Sequence, residues 1–221
     1  MSQTRSQVLK NINSILSMLL LASMILMAPV RAESIESPSD MLKRTSEDVI
    51  KVLKEKRVML EKEPDLVYQI VDQYILPHLD DVSMAKLALG KNWRTASNDQ
   101  KIAFVDEFRS LLVRTYSKSL QEFSDQTINF FPANVDSDRA VVKSEVLQNG
   151  GPTIPVAYRV RVKNNEWKVY DISIDGVSLV TSYRGTFTQE IRKSGMDGLL
   201  ELLRDRNAVI PTDKAGTPVE S

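Results

Sequence analysis

Residues 171–187, Asp171-Ile172-Ser173-Ile174-Asp175-Gly176-Val177-Ser178-Leu179-Val180-Thr181-Ser182-Tyr183-Arg184-Gly185-Thr186-Phe187, change hydrophobic period part-way along. Up to Ile174 apolar and polar residues alternate, as in a half-buried strand; from Val177 they recur at helical spacing. Val177, Val180, Tyr183, Phe187 and Ile191 then share one helical face, with Asp175-Gly176 supplying the turn and an N-cap. The stretch reads as a strand handing over to an amphipathic helix that folds back on it. No catalytic nucleophile or set of metal ligands sits at the junction.

Upstream, the β character extends over candidate strands 126–131, 139–148, 154–163 and 166–174. Asn164-Asn165 is a two-residue hairpin loop, because Asn tolerates φ > 0. That loop sets Lys163 opposite Glu166, Val162 opposite Trp167 and Val160 opposite Val169. One face then holds Val156, Tyr158, Val160, Val162, Trp167 and Val169, and the other Arg159, Arg161, Lys163, Glu166 and Lys168. A sheet with one oily and one charged face is antiparallel and covered on one side. Tyr170, Ile172 and Ile174 fall on the charged side of this register. A bulge or a second covering element would account for them, and the pattern does not choose.

Helices precede the strands. Ser37-Pro38-Ser39-Asp40 reads as a capping box opening a helix to about Glu61. Its apolar stripe of Leu42, Val49, Val52, Leu53 and Leu60 is narrow, with ten charged residues among 41–61. Pro64 opens a second helix that stops near Pro77, and a short one over 84–89 ends at Gly90. Ser97 to Gln100 is a second capping box. It starts a helix over about 98–123 whose broad face carries Phe104, Val105, Phe108, Leu111, Leu112, Tyr116 and Leu120. After the sheet, the helix from Val177 ends at Gly195 and a short one follows over 197–206. The expected class is α+β: N-terminal helices, a four-stranded antiparallel sheet, then C-terminal helices.

Residues 1–32 have the form of a cleaved secretory signal peptide. Arg5 and Lys10 precede an apolar run, Ile15 to Met27, and Val30 and Ala32 suit positions −3 and −1 of a cut after Ala32. No Cys follows, which excludes a lipoprotein. The cut removes Arg5, Lys10 and Arg31 and no acid, leaving 26 basic against 29 acidic residues, a net of −3. That balance argues against a nucleic-acid binder. With no cysteine, neither disulfides nor thiolate chemistry are available, so stability must come from a core. Residues 33–207 suffice for a single domain. The tail 208–221 lacks periodicity and reads as mobile.

The residues that could carry chemistry have structural readings beside them. His78, the sole histidine, has no partners in sequence for base or metal work and suits a helix end. Asp80-Asp81 suits a cap for the following short helix. Asp171 and Asp175 with Tyr183 resemble the carboxylate and phenol of an isomerase-like apolar cup, although capping and packing explain them as well. Arg114 suits either an ion pair or a phosphate, since its planar fork binds oxyanions bidentately. Arg159, Arg161 and Lys163 form a basic strip that is a solvated face or a partner-docking surface. No catalytic residues and no metal site are assigned.

The stretch from Asp171 to Phe187 resembles a signature of the MlaC (toluene-tolerance) family. So do Ala88-Leu89-Gly90-Lys91-Asn92-Trp93-Arg94, Phe104, Phe108 and Leu111-Leu112-Val113-Arg114-Thr115-Tyr116. The resemblance covers roughly residues 40–205. It implies a periplasmic carrier of phospholipid between outer and inner membranes, not an enzyme, whose only bound group is its lipid cargo. It also implies partners: an inner-membrane ABC transporter complex with its ring protein, and an outer-membrane lipoprotein–porin complex. Acyl chains are then held between helices and sheet in an apolar pocket. The stripes nominate Phe104, Phe108, Leu111, Leu112, Tyr116, Val156, Tyr158, Val160, Val169, Tyr183 and Phe187 for it, although spacing alone does not separate pocket lining from filled core. Strands poor in inward polar residues predict little headgroup preference. A small-molecule enzyme on a cone-shaped helix–sheet fold, or a lipoprotein carrier, are the alternatives.

Overall fold

Ser37 starts the first helix as the spacing predicts. The computed structural model describes residues 35–123, 126–148 and 150–208; the expected signal peptide, residues 1–32, and residues 209–221 of the expected mobile tail lie outside them. In α1, Pro38–Glu55, the Asp40 N–H donates to Ser37 Oγ at 3.1 Å, with Pro38 in the first turn. The helix does not run unbroken to Glu61. It stops at Lys56 (φ −98°, ψ 10°) and resumes as α2, Arg57–Lys62. With that break, Leu60 packs in one cluster with Val49, Val52 and Leu53. The Pro64 segment is α3, Leu66–Ile70, followed by a π turn, Val71–Ile75, and a 3-10 turn, Leu76–His78.

Asp80 caps α4, Asp81–Leu89, accepting from the Ser83 N–H at 3.3 Å and the Ser83 hydroxyl at 2.7 Å. Gly90 ends it at φ 55°, where a Cβ would meet Arg184 Cδ at 3.2 Å. Arg184 Nε donates to the Leu87 carbonyl at 2.9 Å, so one residue pair of the sequence signature closes the C-terminus of α4. A 3-10 turn, Gly90–Arg94, leads to α5, Asn98–Gln121. Its capping box is complete: the Gln100 N–H donates to Ser97 Oγ at 3.1 Å, and the Ser97 N–H to Gln100 Oε1 at 3.0 Å.

Among the described residues the sheet has six strands, not four. They are β1 Thr127–Phe130, β2 Asn134–Asp136, β3 Arg139–Leu147, β4 Ile154–Lys163, β5 Glu166–Ile174 and β6 Val177–Ser178. The order is β1-β3-β4-β5-β6, with β2 beside β1 on the same edge of β3, and every ladder is antiparallel. Asn164 and Asn165 take φ 53° and 62°, and the pairs 163/166, 162/167 and 160/169 form as the loop demands. A bulge then leaves Tyr170 unmatched, so Arg159 pairs with Asp171 and Tyr158 with Ile172. The extra residue returns Ile172 and Ile174 to the oily face, which resolves the alternation that failed after Val169.

The helix does not begin at Val177. Asp175 and Gly176 take φ 50° and 80°, the conformation of a two-residue hairpin turn rather than an N-cap. Val177 pairs with Ile174 in β6 and is 60% exposed. Ser178 does the capping: its Oγ accepts from the Thr181 N–H at 3.0 Å and donates to Asp171 Oδ1 at 2.6 Å. A 3-10 turn, Thr181–Tyr183, leads into α6, Arg184–Ala208, broken at Gly195 (φ 75°) where the sequence predicts a stop.

Burial falls into three clusters. Residues of α4, α5 and α6 form one around Phe104 and Phe108. The oily face of the sheet forms another with Met41 and Leu42 of α1, and α1–α3 form the third. Leu79 packs against both the α4–α6 cluster and the sheet cluster. Beside it, the Asp80 N–H donates to the Val169 carbonyl at 2.8 Å. The Asp80 carboxylate, 1% exposed, meets Arg161 Nε at 2.8 Å and Lys163 Nζ at 2.9 Å. Burial alone would raise its pKa, but the bonds from Lys163 and Ser83 and the charge of Arg161 hold it below the usual carboxylate value.

Asp80→Asn keeps a capping acceptor and removes the charge. It should cost about 2 kcal/mol, less than a fully buried pair because both cations are over a third exposed. A depressed folded pKa means stability present above the unfolded value and lost as pH falls through the folded one. Urea unfolding of the parent chain should therefore weaken below about pH 4. That acid limb should shrink in Asp80→Asn.

Candidate functional site

The apolar stripes of α5 and α6 meet in a ring cluster. Phe104 and Phe108 stack with centroids 5.5 Å apart, and Phe187 meets them edge-on at 5.4 and 5.6 Å. Tyr183 stacks on Phe187 at 5.4 Å and meets Phe108 edge-on at 5.6 Å. Its phenol lies close to that of Tyr116; burial first, then the neighbouring Tyr183, pushes the Tyr116 pKa up to about 12.

Two cavities open beside this cluster. An apolar one of about 30 Å³ is bordered by Leu76, Leu79, Met84, Val105, Phe108, Leu112 and Val113, with Asp81 and Arg109 at its rim. A wider cleft of about 380 Å³ is lined by Tyr68, Asp72, Leu76, Arg109, Ser110, Val113, Arg114 and Asn207. They share Leu76, Arg109 and Val113. Arg109 is neutralised, its Nη1 lying 3.6 Å from Asp81 and its Nη2 bonded to Asp106.

The eleven pocket candidates do not face one another across a single gap. Phe104, Phe108, Leu111 and Phe187 are buried in the α4–α6 cluster, with Leu112 and Tyr183 packed against it. Val160 and Val169 are buried in the sheet cluster with Tyr158 against it; Val156 is buried on the same face, opposite Ser144 and Ile174. The α5 face packs chiefly on α3, α4 and α6, and the sheet candidates lie in a separate cluster. Of the candidates, Phe108 and Leu112 border the apolar cavity. The spacing did not nominate Leu76, Leu79, Met84 or Val113, nor the cleft residues Tyr68, Asp72, Ser110 and Asn207. The π turn between α3 and Leu76 shifts the phase of the helical stripe, so periodicity carried no signal there.

The sheet's oily face is unevenly covered. Met41 and Leu42 lie over Ala140, Val142, Val160, Trp167 and Val169, all buried. Further along the strands Phe130, Tyr158 and Ile172 are half-buried, as are Ile128, Val146 and Ile154, and Ile174 is exposed.

The charged groups are mostly satisfied within the chain. Arg161 and Lys163 serve Asp80, and Arg159 Nη1 lies 3.7 Å from buried Asp171. His78 ends its 3-10 turn, with its pKa lowered by burial and by the charges of Arg44 and Lys168. The isomerase-like trio is not assembled: Asp171 binds Ser178, Asp175 is an exposed turn residue, and Tyr183 packs on Phe108 and Phe187. Among the described residues no group of three or more His, Asp or Glu could hold a metal, and no helix is long and apolar enough to cross a membrane.

Comparison with known proteins decides the family. The model described as MlaC protein matches residues 43–205. The chain belongs to the MlaC family. The toluene tolerance protein ttg2D of Pseudomonas putida is 25% identical over 171 residues, 76% of this chain and 80% of that protein. The intermembrane phospholipid transport system binding protein MlaC of Haemophilus influenzae is 24% identical over 169 residues, 74% and 79% of the two chains. A solved phospholipid-binding protein from Ralstonia solanacearum, in complex with a phospholipid, matches with a TM-score of 0.72 at 34% identity. That match covers 78% of this chain and 98% of the solved one.

The burial of Tyr116 beside Tyr183 predicts an alkaline signature. A folded pKa near 12 against an ordinary 10 means stability held below pH 10 and lost progressively as pH rises toward 12. Tyr116→Phe, which removes the titrating hydroxyl, should flatten that loss. Ultraviolet titration of tyrosinate formation, followed with unfolding, checks both.

Proposed function

We propose that this protein is a phospholipid carrier whose acyl-chain site lies along the seam between the α4–α6 cluster and the oily face of the sheet. The half-covered stretch of that face, around Phe130, Tyr158 and Ile172, carries the reading. A diacyl lipid hides on the order of 30 methylenes from water at roughly 0.8 kcal/mol each, so about 25 kcal/mol must be matched by apolar surface. A fully closed core would have none to offer. The apolar cavity of about 30 Å³ matches the share of one water molecule in the liquid. Acyl chains therefore enter by parting the two clusters, which both pack on Leu79. The solved relative bound to phospholipid and the Haemophilus intermembrane transport protein support this reading.

The finer parts follow from the family. The protein shuttles lipid through the periplasm between outer and inner membranes and so serves outer-membrane lipid asymmetry. It meets the ABC transporter complex with its ring protein on one side and the lipoprotein–porin complex on the other. The signal-peptide pattern of residues 1–32 supports the location. Arg159, Arg161 and Lys163 remain the docking candidates. Because two of them also hold Asp80, their exposed edges rather than their whole side chains are what a partner meets.

Lipid extracted from protein purified out of a bacterial host should contain phospholipid in near-stoichiometric amount by mass spectrometry. Repeated native spectra without it would overturn the reading in favour of an enzyme, a lipoprotein carrier or an interacting subunit. Leu112→Trp narrows the cavity directly. It should cost no more than about 1–3 kcal/mol while lipid content falls severalfold. Full lipid load in that variant would place the site elsewhere.

A further inference from the structure

The 380 Å³ cleft contains two charged side chains that the fold does not use. Arg114 is half-buried, and among the described residues its guanidinium has neither an ion pair nor a hydrogen bond. Asp72, in the π turn, is likewise unpaired. The other cation there, Arg109, is taken by Asp81 and Asp106. Asn207 donates through Nδ2 to the Glu107 carbonyl and carboxylate at 3.0 and 2.8 Å, which orients its amide, and its buried Oδ1 has no partner. The cleft thus offers one free cation, one free anion and one free acceptor. It shares Leu76 and Val113 with the apolar cavity next to it.

We propose that this cleft is a headgroup subsite for a zwitterionic phospholipid, Arg114 pairing with the phosphate while Asp72, aided by Asn207 Oδ1, receives the ammonium. The inference rests on the carrier reading above and adds a selectivity to it. Guanidinium binds phosphate oxygens in a fixed fork, and a carboxylate beside it repels any headgroup that carries only negative charge. Headgroup preference comes from the π turn, α5 and α6, whereas the strands, poor in inward polar groups, supply none. A π turn is a common way to re-aim a functional side chain, and this one carries Asp72 and leads directly to Leu76. Both charges are partly hydrated, so the preference is modest, about fivefold.

The test loads the mature chain from vesicles holding equal amounts of phosphatidylethanolamine and phosphatidylglycerol with identical acyl chains, then weighs the bound lipids by mass spectrometry. Phosphatidylethanolamine should be enriched about fivefold over the vesicle ratio. Asp72→Asn, at an exposed position, should bring the ratio to parity, with the loss confined to phosphatidylethanolamine. Arg114→Gln should reduce both lipids severalfold, with partial rescue by Arg114→Lys. Excess inorganic phosphate should leave the ratio unaltered; if it abolishes the effect of Arg114, the cleft takes free phosphate and the proposal falls. Wild-type protein loaded at the vesicle ratio, or Asp72→Asn with the wild-type ratio, overturns this inference and leaves the carrier reading standing. Wild-type protein with no lipid at all removes both.

Discussion

A carboxylate with 1% of its side chain exposed can stay charged only if cations and donors are brought to it, and around Asp80 the rest of the molecule is arranged to do so. Its side chain caps α4, its backbone N–H joins the edge of β5, and its oxygens take Arg161 and Lys163 from β4. The helical layer and the sheet are thereby registered at one end by a group that tolerates little displacement. Elsewhere, apart from the Ser39 hydroxyl that donates to the Phe131 carbonyl at 3.0 Å, they meet mainly through non-directional apolar contact, which yields more readily. The proposed carrier role calls for both: an anchor that preserves the fold and a seam that can part.

Polar geometry also explains why the interior divides into three clusters. A single close-packed core would bury its apolar side chains permanently. Here Phe104, Phe108 and Phe187 bury one another within the helices, and α1 covers one end of the sheet. Tyr158 and Ile172 on the sheet, and Leu112 on α5, are left half-buried. Such side chains gain by acquiring an apolar partner, and lipid is one.

Much of this was legible in residue patterns, where local chemistry dominates. Ser97 and Gln100 announce the start of α5, and Asn164-Asn165 sets the hairpin register, because caps and two-residue turns depend on a few adjacent residues. The Asp175-Gly176 turn was visible too, but its role was mistaken: a strand of two residues is too short to show alternation, so Val177 looked helical. The strand β2 escaped for the same reason. The site was legible only in part. Stripes reveal which faces are apolar, not which faces meet; the π turn shifts phase without a sequence marker, and the bulge showed only as a failed alternation after Val169 that a second covering element would equally have explained.

The bulge at Tyr170 gives β5 two reading frames. Before it, odd-numbered positions such as Trp167 and Val169 face inward; after it, even-numbered Ile172 and Ile174 do. The two halves of the strand thus answer to different neighbours, one beneath α1 and one toward the uncovered end of the sheet. Substitutions can accumulate in the second frame to suit the cargo without disturbing the first. A one-residue length change at this point, harmless in a loop, would exchange the inner and outer surfaces of half a strand and turn Asp171 away from Arg159 and Ser178.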